Sequence, residues 1–140
     1  MRQIETERPM VRCSVPDTGT CIHGDLHGGN ALITDDGKEY FIDLADFCYG
    51  NPLFDIGTLY YTSMQIDEPM TQRLFHCGEA QMHRFWNAFA KAYFNVTTDE
   101  EVLAINETVA PFAALKVIFF AELDQWAPGM RELVEAALLK

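Results

Sequence analysis

Three polar side chains in the first third of the chain have the types and spacing needed for chemistry on a phosphate. Asp25 and Asn30 share the glycine-rich stretch CIHGDLHGGNALI, and Asp43 follows in the apolar segment FIDLAD. Phosphoryl transfer requires a carboxylate that orients and deprotonates the attacking hydroxyl, and oxygen ligands that hold magnesium against the phosphates. Asp25, Asn30 and Asp43 could supply these parts.

Each residue alone also has an ordinary structural explanation. An Asp in a glycine-rich loop commonly stabilises a turn, and an Asn before a strand is often a cap. The combination is more informative. A D-x4-N spacing is followed along the chain by a predicted hairpin and by an Asp with apolar neighbours. Asp55 then follows three residues after Pro52, which is predicted to begin a helix. This combination favours a functional site over coincidence.

The elements before Pro52 that must position these residues are predicted to be short strands. TCIHGD could begin as a strand, and NALITDDGKEYFIDL shows two short strands around a turn at 35–37, where Asp-Gly tolerates positive φ. The hairpin would deliver Asp43, at the end of KEYFID, into a cleft.

After Pro52 the pattern becomes helical. Asn51 is suited to be an N-cap, with Pro52 at the first helical position before LFDIGTLYYTSM. The stretch MTQRLFHCGEAQMHRFWNAFAKAYF predicts a second helix, whose apolar positions step by three or four along one buried face. That face comprises Leu74, Gly78, Met82, Phe85, Phe89 and Tyr93. Core packing, and not a substrate cage, is the favoured role for the aromatic residues of this helix, Phe85, Trp86, Phe89 and Tyr93.

Further signals define the rest of the helical part. Residues 98–101 (TDEE) match a capping box, and Pro111 is expected to break or kink the helix that follows. The stretch PFAALKVIFFAEL then continues as a buried helix. A last helix is predicted from 128 or 129 to near 140.

Composition and charge limit the possible partners. The 140 residues are 49% hydrophobic, which is enough for a core, and the net charge of −11 disfavours nucleic acid and anionic membranes as partners.

The four cysteines fit neither a zinc motif nor a disulfide framework, so we expect reduced, mostly buried thiols at Cys13, Cys21, Cys48 and Cys77. The first residues do not resemble a signal peptide and VIFFA is too short to cross a bilayer, which predicts a cytoplasmic protein.

The stretches HGDLHGGN and FIDLADFCYGNPLFDIG resemble the aminoglycoside phosphotransferase and choline kinase-like family of the protein-kinase-like superfamily. The specific resemblance extends over about residues 15–64. It implies an α+β, mostly α fold: a kinase-like C-terminal lobe that forms a single partial domain over 1–140. A catalytic loop and metal-binding hairpin would occupy 15–50, followed by a helical subdomain over 51–140.

The resemblance also implies a reaction and its central residues. Asp25 would be the catalytic base, and Asn30 and Asp43 would bind Mg²⁺. ATP would donate its γ-phosphoryl group to a hydroxyl of a small molecule similar to an aminoglycoside, choline or a sugar.

Four neighbouring residues receive supporting roles from the same resemblance. His23 would be structural, and Asp55 would brace the catalytic loop through backbone hydrogen bonds. Asp46 is a candidate for contact with the substrate or with groups around the metal. His27 is a weaker candidate of the same kind, with loop packing favoured.

The chain lacks the usual features that grip the nucleotide. No G-x-G occurs in it, and the only strong cations before Asp25 are Arg2, Arg8 and Arg12. Lys116 comes too late in the order of elements to be the family's strand lysine. We therefore expect that an N-terminal nucleotide lobe, needed in cis, is missing from these 140 residues, which puts independent activity in doubt.

Two other function classes stay open. A lobe without its nucleotide clamp could be a noncatalytic remnant or a binding module. Cys21, His23, Asp25 and His27 could instead be the ligands of a zinc metallohydrolase, although the neighbouring glycines disfavour the helix that would align the two histidines.

The acceptor is the least determined part of the reaction. Acidic residues at 67–68 and 99–101 would suit an amine-bearing, cationic substrate, but they would equally suit solvated helix ends. The sequence therefore predicts a small hydroxyl compound without identifying it.

Overall fold

The computed structural model of the protein describes residues 18–123, which form a mostly helical α+β structure. The strands are β1 (Thr20–Ile22), β2 (Ala31–Ile33), β3 (Glu39–Phe41) and β4 (Cys48–Gly50), and the helices are α1 (Leu53–Met64), α2 (Glu68–Phe75), α3 (Glu79–Phe94) and α4 (Asp99–Leu123). The helix predicted from residue 128 or 129, Cys13 and the three N-terminal arginines lie outside the described residues.

The four strands form two antiparallel pairs. In the hairpin of β2 and β3, Ala31 lies opposite Phe41, and the turn closes with Gly37 in the left-handed region at φ +78°. This confirms the predicted hairpin, and β1 confirms the strand predicted at TCIHGD. The second pair joins β1 to β4 with Ile22 opposite Cys48, so the loop after β1 and the loop before β4 meet at the same end of that sheet.

Helix α1 is the central helix and packs against both α3 and α4. The core between them consists of Ile56, Trp86, Ala90, Val102 and Val109. Trp86 also donates its indole N–H to Asn106 Oδ1 at 2.8 Å, so the buried ring leaves no unsatisfied polar group.

Helix α1 begins close to its predicted start. The first helical residue is Leu53, one position after the prediction, and its N–H is bound by Asn51 Oδ1 at 2.9 Å. At Gly57 the helix approaches α4 so closely that a Cβ atom would lie 2.6 Å from Phe112 Cβ. A glycine is therefore required for this contact between α1 and α4.

The single long helix predicted after α1 is wrong, because the chain forms α2 and α3 with a break at 76–78. His76 adopts the left-handed conformation at φ 55° and ends α2, and Gly78 provides the start of α3. The backbone N–H of Gly78 is bound by Gln81 Oε1 at 2.9 Å. These caps satisfy backbone groups that a continuous helix would have paired internally.

The predicted buried face of this segment is wrong for three of its six residues, whereas Met82 is buried and Phe89 packs against the core. Residues Leu74, Phe85 and Tyr93 are exposed, whereas the buried residues of α3 are Met82, Trp86 and Ala90. These three are spaced by four, and the face is shifted because the large Trp86 ring packs into the core beside α1. A run of neighbouring aromatic residues allows two such faces, and apolar spacing alone did not distinguish them.

Helix α4 confirms its predicted capping box. Thr98 N–H donates to Glu101 Oε2 at 2.9 Å, and Glu101 N–H donates to Thr98 Oγ1 at 3.2 Å. Of the break or kink predicted at Pro111, the break does not occur, since α4 continues through it. Proline in a helix interior costs about 3 kcal/mol, and the two residues after it, Phe112 and Ala113, are buried in the packing of α4.

The described cysteines are free thiols, but the prediction that they are mostly buried is wrong. Cys21 and Cys48 are exposed and Cys77 is intermediate. Cys21 and Cys48 lie in the β1–β4 pair, and a sheet of only two strands leaves much of its surface open to solvent. Over residues 18–123, no helix combines the length and apolarity needed to cross a membrane.

Candidate active site

The candidate site lies where the loop after β1 meets the loop before β4. Gly24 has φ +85°, and a Cβ atom there would lie 2.3 Å from the backbone oxygen of Asp46. Only glycine tolerates both this conformation and this approach. The loop that carries Asp25 is therefore packed directly on the backbone of Asp46, whose side chain is exposed.

Asp55 joins this loop to the first turn of α1. Its carboxylate is buried, with 8% of the residue exposed, and accepts hydrogen bonds from the backbone N–H of His23 at 2.7 Å and of Gly24 at 2.8 Å. Burial of a carboxylate is tolerated when both oxygens are hydrogen-bonded in this way. These bonds fix the backbone immediately before Asp25.

His23 is also buried and links the two loops through its ring. Its Nε2 lies 2.9 Å from the carbonyl oxygen of Ile42, and its Nδ1 accepts the backbone N–H of Asp25 at 3.3 Å. A carbonyl oxygen can only accept, so the proton is on Nε2. Both ring nitrogens are thus used in backbone hydrogen bonds, which leaves neither as a zinc ligand.

Ile42 is held from its other side by Asn30, whose carbonyl oxygen accepts the Ile42 N–H at 3.0 Å. Asn30 closes the 3-10 turn Gly28–Asn30 and is buried, and its side-chain N–H donates to the backbone oxygen of Asp25 at 3.0 Å. Within residues 18–123 its side-chain oxygen has no hydrogen-bond partner. An oxygen that could bind a cation is therefore kept beside Asp25.

Asp43 lies two positions after the end of β3. It directly follows Ile42, whose backbone N–H and carbonyl are both hydrogen-bonded. It is exposed and adopts the left-handed conformation at φ 57°, which is uncommon for residues other than glycine. Such conformations are often found at functional sites. Its carboxylate has no ion pair or hydrogen bond with any residue of the described part of the chain.

Asp25 is partly exposed and lies between two cationic or potentially cationic groups. His27 Nε2 is 3.6 Å from Oδ2, and Lys116 Nζ is 3.1 Å from Oδ1. The neighbouring His27 ring and the charge of Lys116 lower the pKa of Asp25 from 3.8 to about 2, against the opposing effect of partial burial. Asp25 is therefore an anion at neutral pH.

His27 has several contacts within the loop. Its Nδ1 accepts the backbone N–H of Gly29 at 3.0 Å, and its ring packs against Phe75 of α2. These contacts orient its Nε2 towards Asp25.

Lys116 is the residue that the sequence interpretation missed. It comes from α4, and its Nζ also donates to the carbonyl oxygen of Gly24 at 2.8 Å, across 92 positions of sequence. One sequence signal could have identified it, because it is a single charge within the apolar run AALKVIFF. A lysine that is buried in such a helix requires a partner.

The arrangement brings the loop of Asp25 and Asn30 beside the backbone that carries Asp43 and Asp46. In the described ranges no group of three or more His, Cys, Asp or Glu is arranged to hold a metal ion, so the zinc-cluster hypothesis finds no support. The oxygen donors of Asn30 and Asp43 are of the type preferred by magnesium.

A family model described as a phosphotransferase enzyme family matches residues 5–96, about two thirds of the chain. No curated protein matches the chain significantly. No solved structure matches it significantly either.

Proposed function

Because the chain belongs to the phosphotransferase enzyme family, we propose that it carries out the ATP- and Mg²⁺-dependent transfer of a γ-phosphoryl group to a hydroxyl of a small molecule. The observation that carries this proposal is the position of Asp25. Its carboxylate is anionic, accessible and fixed at its backbone by Asp55 and His23, and it lies beside Asn30.

Asp25 would act mainly by orienting the acceptor. A carboxylate with a pKa of about 2 is a weak base towards a free alcohol. It can nevertheless accept a hydrogen bond from the hydroxyl and receive its proton as the new P–O bond forms and the alcohol oxygen becomes acidic. The accessible part of the side chain allows an acceptor hydroxyl to reach it.

Asn30 and Asp43 would hold Mg²⁺. Both offer oxygen atoms without partners among the described residues, and hydrogen bonds to Ile42 connect their loops. When bound, Mg²⁺ would neutralise negative charge on the transferring phosphates. The conformation of Asp43, which is exposed and left-handed, suits a carboxylate that must reach away from its own strand.

We propose further that the described residues are a protein-kinase-like C-terminal lobe. The short β pairs before a helical subdomain are compatible with it, and the absence of G-x-G in the sequence supports a need for a separate nucleotide-binding lobe in cis. Since the reaction uses ATP, we place it in the cytoplasm.

The acceptor would be a small hydroxyl compound, preferably a cationic one. Asp46 is exposed, and its backbone packs against Gly24, the residue before Asp25. The chain also has a net charge of −11. Both features favour an amine-bearing acceptor over an anionic one.

The test is an acceptor screen with the full gene product and Mg²⁺-ATP. Aminoglycosides, choline and neutral sugars would be supplied in parallel, and phosphorylated products detected by phosphorus NMR. Product in at least one reaction, dependent on Mg²⁺ and lost in Asp25→Asn, is the expected result. Transfer that persists in Asp25→Asn would contradict the assignment of the base.

A further inference from the structure

Lys116 is a mostly buried cation on the packed helix α4. Only 11% of its side chain is exposed, and its ammonium group contacts the Gly24 carbonyl at 2.8 Å and the Asp25 carboxylate at 3.1 Å. Burial of an ammonium group is expensive unless it is paired and hydrogen-bonded. Both contacts lie in the loop of the candidate base.

The neighbours of Lys116 explain why the contact is rigid. Ala113 and Val117, on the same helix, are buried, and Phe112 lies against Gly57 of α1. The backbone of α4 is therefore held close to α1, whose first turn also holds the loop through Asp55. The ion pair results from helix packing and not from a mobile surface side chain.

A second ion pair in the chain provides a contrast. Lys91 contacts Asp99 at 2.7 Å, but the side chains are 32% and 76% exposed. Exposed pairs of this kind contribute little to structure because solvent competes for both charges. Lys91 is thus a matched control for a lysine that pairs without being buried.

We propose that Lys116 is a positioning residue of the phosphoryl-transfer site: the Gly24 carbonyl anchors its ammonium group, and the ion pair with Oδ1 holds the Asp25 carboxylate in one side-chain orientation. The effect of this orientation on catalysis rests on the proposed function. The fixed orientation of the Asp25 side chain does not depend on that function. Without Lys116, the Asp25 carboxylate keeps His27 as a neighbour, with Nε2 at the longer distance of 3.6 Å. Arginine can replace both contacts, and methionine can replace neither.

The orientation can be measured in the 140-residue chain by NMR, through the three-bond couplings of the Asp25 β-protons. We expect couplings of a single rotamer in the unchanged chain and in Lys91→Met, averaged couplings in Lys116→Met, and recovery in Lys116→Arg. Unchanged couplings in Lys116→Met would overturn the proposal.

A second measurement covers the case in which Lys116→Met does not fold. The shielded Lys116 ammonium group should give its own slowly exchanging ¹H–¹⁵N signal, and Asp25→Asn should shift that signal, whereas Asp35→Asn, on the exposed hairpin turn, should leave it in place. Absence of the Lys116 signal, or its indifference to Asp25→Asn, would also overturn the proposal.

Activity of the full gene product separates this inference from the proposed function. Lys116→Met should lower kcat about tenfold or more with the KM for ATP changed less than about twofold, and Lys116→Arg should recover most of the rate. A normal kcat in Lys116→Met would count against the positioning role. If the unchanged protein transferred phosphate to no acceptor while the NMR results held, the proposed function would fail and the fixed orientation would stand.

Discussion

The carboxylate of Asp55 accepts the backbone N–H of His23 at 2.7 Å, which joins a buried position of α1 to the loop that carries the candidate base. The same carboxylate binds the next backbone N–H, of Gly24. One side chain thus satisfies two consecutive amides that no strand or helix pairs.

Asp55→Ala should be strongly destabilising. It leaves two backbone N–H groups without an acceptor, and each such group costs about 1–3 kcal/mol, so we expect a loss of roughly 2–4 kcal/mol in the free energy of unfolding measured with urea. Asp35→Ala, on the exposed hairpin turn, is the matched control and should change stability by less than about 0.5 kcal/mol. Equal effects of the two substitutions would show that the loop does not depend on Asp55.

Asp25→Asn should nearly abolish phosphoryl transfer in the full gene product. Loss of a positioned general base lowers the rate by about two to four orders of magnitude. Affinity for Mg²⁺-ATP, measured by calorimetry, should stay close to normal because Asp25 is not among the proposed metal ligands. A variant that kept a tenth of normal activity would be inconsistent with the assignment.

Asp43→Asn should raise the Kd for Mg²⁺-ATP by about tenfold or more. Asp46→Asn should raise this Kd by less. Asparagine tolerates the left-handed backbone at φ 57°, so the substitution removes charge without adding strain. Titrations of both variants of the full gene product would rank them. If Asp46→Asn had the larger effect, the metal site would lie several residues further along the chain than proposed.

Acid should remove the stabilisation that Asp25 provides. Its pKa is lowered from 3.8 to about 2 in the folded chain, so the carboxylate stabilises the fold above its ordinary pKa, and this contribution declines as pH falls from 3.8 towards 2. The full contribution is roughly 2 kcal/mol at most. Urea unfolding at about pH 6.5 and about pH 3 should show a larger loss for the unchanged chain than for Asp25→Asn. Equal losses would contradict the lowered pKa.

The 140-residue chain alone should fold, bind ATP weakly and tend to self-associate. The hairpin and the residues after it expose large apolar side chains, among them Ile33, Phe41 and Tyr49. Surfaces of this kind favour association. Calorimetry with Mg²⁺-ATP and a sizing column would test both expectations, and micromolar affinity in a monomer would contradict the need for a separate nucleotide lobe.

The sequence predicted those features that depend on local chemistry. The Asp-Gly turn of the hairpin and the Thr98 capping box are set by residues a few positions apart, and both are present. The break at His76 was not predicted, because it depends on a left-handed histidine and on the burial of Trp86. The spacing of apolar residues indicates neither the backbone conformation of His76 nor the burial of Trp86.

The candidate site shows the same division between local and distant determinants. The proximity of Asn30 to Asp25 follows from their spacing within one loop. The position of Lys116 beside Asp25 depends on how α4 packs on α1, which in turn depends on the absence of a side chain at Gly57. Contacts between residues so far apart in the sequence require the tertiary structure.

The bond between Lys116 and Gly24, which spans 92 positions, also has a consequence for biosynthesis. During translation the hairpin and the loop of Asp25 are made long before α4, and closing so large a loop carries an entropic cost that local structure does not share. The nascent chain can therefore form its turns early, but Asp25 acquires its buried lysine only after synthesis has passed residue 116. The geometry at Asp25 is thus completed late in the maturation of the polypeptide, and a chain truncated before residue 116 would keep His27 but lack the lysine beside that carboxylate.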